Sequence, residues 1–179
     1  MEKVVREELD DEDYQIKEVF AVYGRAAYQA QVLERGLANV LTVARTAAAR
    51  GSGDDFDAFL EQHLGSTMGR LVSLLGPHVH EDGDVLPNLR AALEERNRLA
   101  HRFFRQHELD FGSFSGREEM LAELYGLIEL FESVDASLRI VIDRLLASVG
   151  MTAEQRRNLE AAEVLRLQQL AESRDRSEA

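Results

Sequence analysis

The chain has 179 residues, 45% of them hydrophobic and 30% charged, with no Cys, no Trp and two Pro. Such a length suits one domain (1–179) with one sizeable core, and the composition is that of a folded chain and not a disordered one. Zero Cys excludes a disulfide scaffold, a thiolate metal centre and a Cys nucleophile, and no apolar run approaches the roughly 20 residues of a membrane span. The acidic start, Met1 to Asp13, lacks the apolar stretch of a secretory signal, so a cytoplasmic location is expected. The formal net charge of -12 makes a poor general nucleic-acid binder unless the basic residues cluster.

With few prolines and abundant Ala, Leu, Glu and Arg, the chain favours helix almost throughout. After an acidic tail (1–11), a first helix is expected from about Glu12 to Arg50. Its apolar stripe reads Ile16, Phe20, Tyr23, Ala27, Ala30, Leu33, Leu37, Val40 and Ala44. Gly24 and Gly36 mark close crossings or bends, and Gly51-Ser52-Gly53 ends the helix. A short helix capped by Asp54 or Asp55 turns Phe56, Phe59, Leu60 and Leu64 inward. Another, from about Ser66 to Leu75, buries Met68, Leu71, Val72 and Leu75 and stops at Gly76-Pro77. The stretch Gly76 to Asp84 reads as a loop. A fourth helix follows from about Val85 to Gln106, with Pro87 in its first turn.

Glu108 to Gly116 reads as a loop that tucks Phe111 and Phe114 onto the body. Ser115-Gly116-Arg117-Glu118 matches a capping box and opens a helix to about Val149, burying Leu124, Leu127, Ile128, Phe131, Leu138, Val141, Ile142 and Leu145. Gly150 ends it. A second capping box, Thr152-Ala153-Glu154-Gln155, starts a more polar last helix that is either packed on the body or an arm for a partner. It fades into a charged tail (172–179). The fold expected is all-α, an up-and-down bundle of about five helices.

The pattern breaks on the fourth helix. On a wheel of about 100° per residue, Arg96 falls in the middle of the stripe formed by Leu89, Leu93, Ala100 and Phe103. Asn97 and His101, four apart, line one edge of it. An inward guanidinium without partners costs several kcal/mol, so something must compensate it. One reading is an internal polar network, with Arg96 on a carboxylate such as Glu34 and His101 a satisfied core imidazole. The other is a cleft edge where an anion binds and His101 exchanges a proton. Arg90, Arg98, Arg102 and Arg105 surround these residues, against Glu94 and Glu95, and form the chain's one concentrated basic stretch. They are RNA-contact candidates or a solvated helix face.

Arg96-Asn97-Arg98-Leu99-Ala100-His101 resembles the R-x4-6-H motif of the HEPN superfamily, in which a polar residue, often Asn, follows the Arg. The resemblance implies an all-helical bundle, a homodimer and a metal-independent endoribonuclease, with Arg96, Asn97 and His101 as the catalytic set and no cofactor. Such proteins serve as toxins with an antitoxin partner or as antiviral effectors. Others of the same fold are non-catalytic nucleotide-binding or protein-interaction modules, and a purely structural helical protein is the remaining alternative. The chemistry suits the residues. The RNA 2′-OH attacks its own phosphate, a His with an ordinary pKa of about 6.5 moves the proton, and an Arg fork meets the phosphoryl charge. Arg96 and His101 lie about 140° apart on the wheel, so they cannot stack on one face. One motif supplies one His, and the family supplies the second from a partner copy. Some members carry a Tyr two residues after the His that a partner nucleotidyltransferase modifies; here the residue is Phe103.

Other signals are weaker. His78-Val79-His80-Glu81-Asp82 matches no specific metal spacing, so no metal is expected. His63 and His107 read as surface groups, with His107 a second candidate acid or base. Tyr14, Tyr23 and Tyr28 read as residues of the core edge.

Overall fold

The computed structural model describes residues 11–49, 53–79 and 83–152, and scattered positions from there to residue 173. Among the described residues there are five α-helices, one 3-10 turn and no strand. They are α1 (Asp11–Ala49), α2 (Gly53–Leu64), α3 (Met68–Val79), α4 (Val85–Gln106), the 3-10 turn Asp110–Gly112, and α5 (Phe114–Ser148). None is long and apolar enough to cross a membrane.

Side-chain contacts set the direction of each helix. Arg45 packs over the ring of Phe59 and Thr42 meets His63, so α2 runs back along the end of α1. Gly69 faces Leu93 and Gly76 faces Leu86, so α3 and α4 are antiparallel. Phe104 meets Phe20 while Arg96 meets Glu34, so α4 descends along α1. Gln15 meets Glu118, Arg25 meets Glu132 and Gly36 meets Asp135, so α5 rises parallel to α1. The result is the up-and-down bundle expected. Among the described residues its upper half has five helices and its lower half α1, α4 and α5, because α2 and α3 are each 12 residues long.

The core follows the expected periodicity in α5, where Leu124, Leu127, Ile128, Phe131, Leu138 and Val141 are buried and Ile142 and Leu145 half-buried. In α1 the upper stripe (Ala30, Leu33, Leu37, Val40, Ala44) is buried as expected. The lower stripe is turned by about one residue. Val19, Val22 and Ala26 are buried, Tyr23 and Ala27 are half-buried, and Phe20 is 53% exposed. Only two partner helices cover this half, so the residues facing the α1–α4 seam stay open. Tyr14 and Tyr28 are exposed as well, and so is Leu64 of α2.

Several ends differ from expectation. Helix α2 begins at Gly53, so Asp54 and Asp55 lie inside it and do not precede it. Helix α3 continues through Gly76-Pro77 to Val79; Pro77 sits in the last turn, where its missing N–H removes a single bond. The N-cap of α5 is Ser113, whose hydroxyl accepts from the Gly116 N–H at 3.1 Å, two residues earlier than the Ser115 box. Glu118 instead accepts from the Gln15 amide at 2.7 Å. Phe111 is half-buried, but Phe114 points out, 63% exposed. At the other end of α5, Gly150 has φ 84°, and the Gly150 and Met151 N–H groups bond the carbonyls of Ala147 and Leu146. The second capping box forms reciprocally between Thr152 and Gln155. The acidic N-terminal segment (1–10), the tip 80–82, most of the last helix and nearly all of the C-terminal tail lie outside the described residues.

Gly36 and Gly24 differ in kind. A Cβ at Gly36 would lie 2.7 Å from Asp135 Oδ1, a close crossing of α1 and α5, whereas Gly24 has nothing within 4 Å. The tightest glycine is Gly116, where a Cβ would come within 2.2 Å of the Asp110 carbonyl oxygen. That neighbour is backbone and cannot swing aside. Gly116→Ala is therefore expected to lose about 1–3 kcal/mol of stability through overpacking. Urea denaturation should show it as a lower midpoint with an unchanged slope.

Candidate functional site

The motif helix α4 buries Leu89, Ala92, Leu99 and Phe103, an arc on the wheel that includes Arg96. The stem of Arg96 thus starts from the buried face, as expected, and its head reaches the edge. Its guanidinium lies 3.3 Å from Glu34 Oε2 and donates to Asn97 Oδ1 at 3.1 Å. The Glu34 partner expected from the sequence is the one found. Both side chains keep about a third or a quarter of their surface in solvent, 32% and 26%. A pair so exposed is worth about 0–1 kcal/mol.

His101 departs from the expectation of an inward or cleft-edge residue. It is exposed, and among the described residues it has no hydrogen bond or ion pair. Its place about 140° from Arg96 puts it outside the buried arc. It belongs to an outer row, Arg90, Glu94, Asn97, His101 and Arg105, each three or four residues from the next. Arg90, Arg102 and Arg105 are exposed and make no ion pair with described residues. Arg98 differs from those three. Burial works against its charge, but hydrogen bonds to Glu95 and Glu123 outweigh that and hold the guanidinium charged more firmly than usual. Its positive charge is already met inside the chain.

Below the motif lies a group of rings. Phe20 stacks near Phe104 and Phe111, with centroids 5.5 and 5.6 Å apart, and Tyr23 lies 4.9 Å from Phe104. The Tyr23 hydroxyl donates to the Leu99 carbonyl at 3.2 Å. Phe103, two residues after His101, is 1% exposed and therefore enclosed.

His63 and His107 are not the surface groups expected. His107 has Nδ1 at 2.8 Å from Asp110 and Nε2 at 3.0 Å from Glu123, so neither nitrogen is open to a substrate. His63 is 7% exposed. The Thr42 hydroxyl donates to the Ala38 carbonyl at 2.7 Å, which leaves its oxygen to accept from His63 Nδ1 at 3.1 Å. A loop-ward His at the end of an amphipathic helix gave no sign of this partner, which stands 21 positions earlier. His78 is exposed, and its carbonyl accepts from Arg144 at 2.7 Å. The remaining residues of the His-Val-His-Glu-Asp loop, at 80–82, lie outside the described residues. Among the described residues no group of three or more His, Asp and Glu is placed to hold a metal ion.

Comparison of the chain with protein-family models, with curated proteins and with solved structures yields no match in any of the three.

Burial, and then the nearby Arg45 charge, lower the pKa of His63. The unfolded chain, with His near 6.5, therefore binds this proton more readily than the folded one. The stability that neutral His63 confers is complete above the unfolded value and is lost as pH falls toward the folded value. Thermal unfolding from about pH 7 down to about pH 5 should show a falling midpoint. His63→Gln, which cannot take up the proton, should show a shallower fall.

Proposed function

We propose that the chain is a metal-independent endoribonuclease of HEPN type that acts as a homodimer, with His101 as acid or base. The observation that carries this reading is that His101 is exposed and has no hydrogen bond or ion pair with described residues, in one row with Asn97 and with Arg90 and Arg105, which are likewise without an ion pair among the described residues.

Each residue then has a task. His101 takes the proton of the 2′-OH or gives one to the leaving 5′-oxygen. Asn97, one turn before it, orients the phosphate. Arg96 meets the charge that builds on the phosphoryl oxygens. Its pairing with Glu34 does not bar this, since a partly exposed ion pair worth at most about 1 kcal/mol yields to a dianionic transition state. A second copy supplies the complementary acid or base, as the motif's resemblance implies. Arg90, Arg102 and Arg105 hold the RNA backbone. A toxin or antiviral role, with an antitoxin as partner, is the biological setting that this chemistry fits.

One observation favours a second reading, a non-catalytic nucleotide-binding or protein-interaction module. Arg96 is neutralised by Glu34 within one chain, so its charge is already met before any ligand arrives.

The test is incubation with RNA in EDTA. Wild type is expected to cut and to leave 2′,3′-cyclic phosphate ends. His101→Ala should lose about 10²-fold or more in rate while its stability changes by no more than about 0.5 kcal/mol, as for an exposed side chain. Two folded, dimeric proteins that both fail to cut would leave the binding module. Equal cutting by both would remove His101 from the chemistry. Glu34→Gln, which frees Arg96, is expected to tighten RNA binding about two- to fivefold, measured by fluorescence anisotropy, at a stability cost below about 1 kcal/mol.

A further inference from the structure

Helix α2 is anchored by a polar residue. Its described aromatic and aliphatic residues Phe56, Phe59 and Leu60 are only half-buried, and the one described residue of α2 that is buried is His63. No described residue of α2 is among the buried apolar residues of the core, although Leu60 packs on its edge. The core formed by α1, α3, α4 and α5 therefore does not depend on α2, and His63 is the residue that seats this helix on α1.

The seat suits the neutral ring. Because the Thr42 hydroxyl donates its hydrogen to the Ala38 carbonyl, His63 Nδ1 carries the proton that Thr42 accepts, and the ring keeps its lone pair on Nε2. A proton added in acid goes to Nε2, for which no described residue supplies an acceptor. The imidazolium is then a charge at a 7% exposed site, with the Arg45 guanidinium as its neighbour. Arg45 of α1 is the charged group that bears on the ring; Asp57 and Glu61 of α2 itself and Arg70 of α3 are exposed, and no described carboxylate pairs with it. One turn beyond Thr42 the Thr46 hydroxyl is buried with no hydrogen-bond partner among the described residues. Helix α2 covers this turn of α1, since Arg45 meets both Phe59 and Gln62.

We propose that α2 is an acid-operated flap, which lifts from α1 when His63 is protonated while α1, α3, α4 and α5 stay folded. Lifting puts the imidazolium in water and away from Arg45, and it opens the Thr46 hydroxyl to solvent, so two buried polar groups are relieved by one movement. What is lost is the contact of three half-buried side chains and the Arg45–Gln62 bond, which lies at the surface. Residues 65–67, between α2 and α3, form the joint. Local opening of this kind releases a weakly held element without the core that carries most of the stability. The open form binds the proton as readily as the unfolded chain does. The fall of the unfolding midpoint in acid therefore levels off once α2 has lifted.

The test is hydrogen–deuterium exchange of the whole chain, read by mass spectrometry at about pH 7 and about pH 5 and corrected for the intrinsic rates. In wild type the α2 amides should lose about tenfold or more of their protection at the lower pH, while those of α4 and α5 keep theirs. His63→Gln, which cannot take up the proton, should hold the same α2 protection at both pH values. Equal α2 protection at both pH values in wild type, a loss shared by all the helices, or a loss in His63→Gln as large as in wild type would overturn the proposal. If His63→Gln leaves α2 open already at about pH 7, NMR titration of wild type decides. The His63 ring and the α2 amides should then change with one common midpoint, and separate midpoints would overturn the proposal.

Discussion

The guanidinium of Arg117, whose side chain is only 4% exposed, ties the lower half of the molecule together. Its Nε donates to Gln15 Oε1 at 2.7 Å, and its Nη1 donates to the Phe111 carbonyl at 3.0 Å and lies 3.5 Å from Glu12. Left unpaired at this depth, such a charge would cost several kcal/mol, so the start of α1, the 3-10 turn and the start of α5 are held in one arrangement. Gln15 is itself 3% exposed and spans the joint, with its amide on the Phe114 carbonyl and Glu118. Gly116 allows the turn to lie directly on the first turn of α5.

The ring group depends on that joint. Phe111 is carried by the turn that Arg117 pins, and Phe111 in turn supports Phe20 and Phe104. His107, between Asp110 and Glu123, fastens the end of α4 to the same turn and to α5. The motif helix therefore enters the bundle at a set depth and rotation. That rotation sends Arg96 toward Glu34 and leaves His101 in water.

The upper half is held differently. There α2 and α3 shield α1, and polar contacts among the described residues join the helices at Thr42 with His63, at Arg45 with Gln62 and the Phe59 ring, and at Arg144 with the His78 carbonyl. Apolar packing of Leu33, Leu37, Leu71, Leu75 and Leu89 dominates. The lower half, with two fewer helices, compensates with buried polar bonds and ring contacts, and it leaves the α1–α4 seam uncovered.

Helix content, the order of the elements, the bounds of α4 and most of the α5 core were legible because each rests on local periodicity and on few breakers. The need of Arg96 for a partner was legible as well, since a charge on an apolar stripe demands one, and Glu34 was one carboxylate of α1 that could meet it. Three features were not. The exposure of Phe20 depends on how many helices cover the lower half, which follows from the short lengths of α2 and α3 and not from the stripe itself. The burial of His63 and the double clasp of His107 depend on Thr42, Asp110 and Glu123 arriving at their ring nitrogens. The Arg117–Gln15 bond joins residues 102 positions apart, and its local context reads as a helix cap. Periodicity sets which side of a helix is apolar, and this chain shows it along nearly its whole length. Which part of that side meets another helix, and which polar group finds its partner there, is decided only when the helices pack.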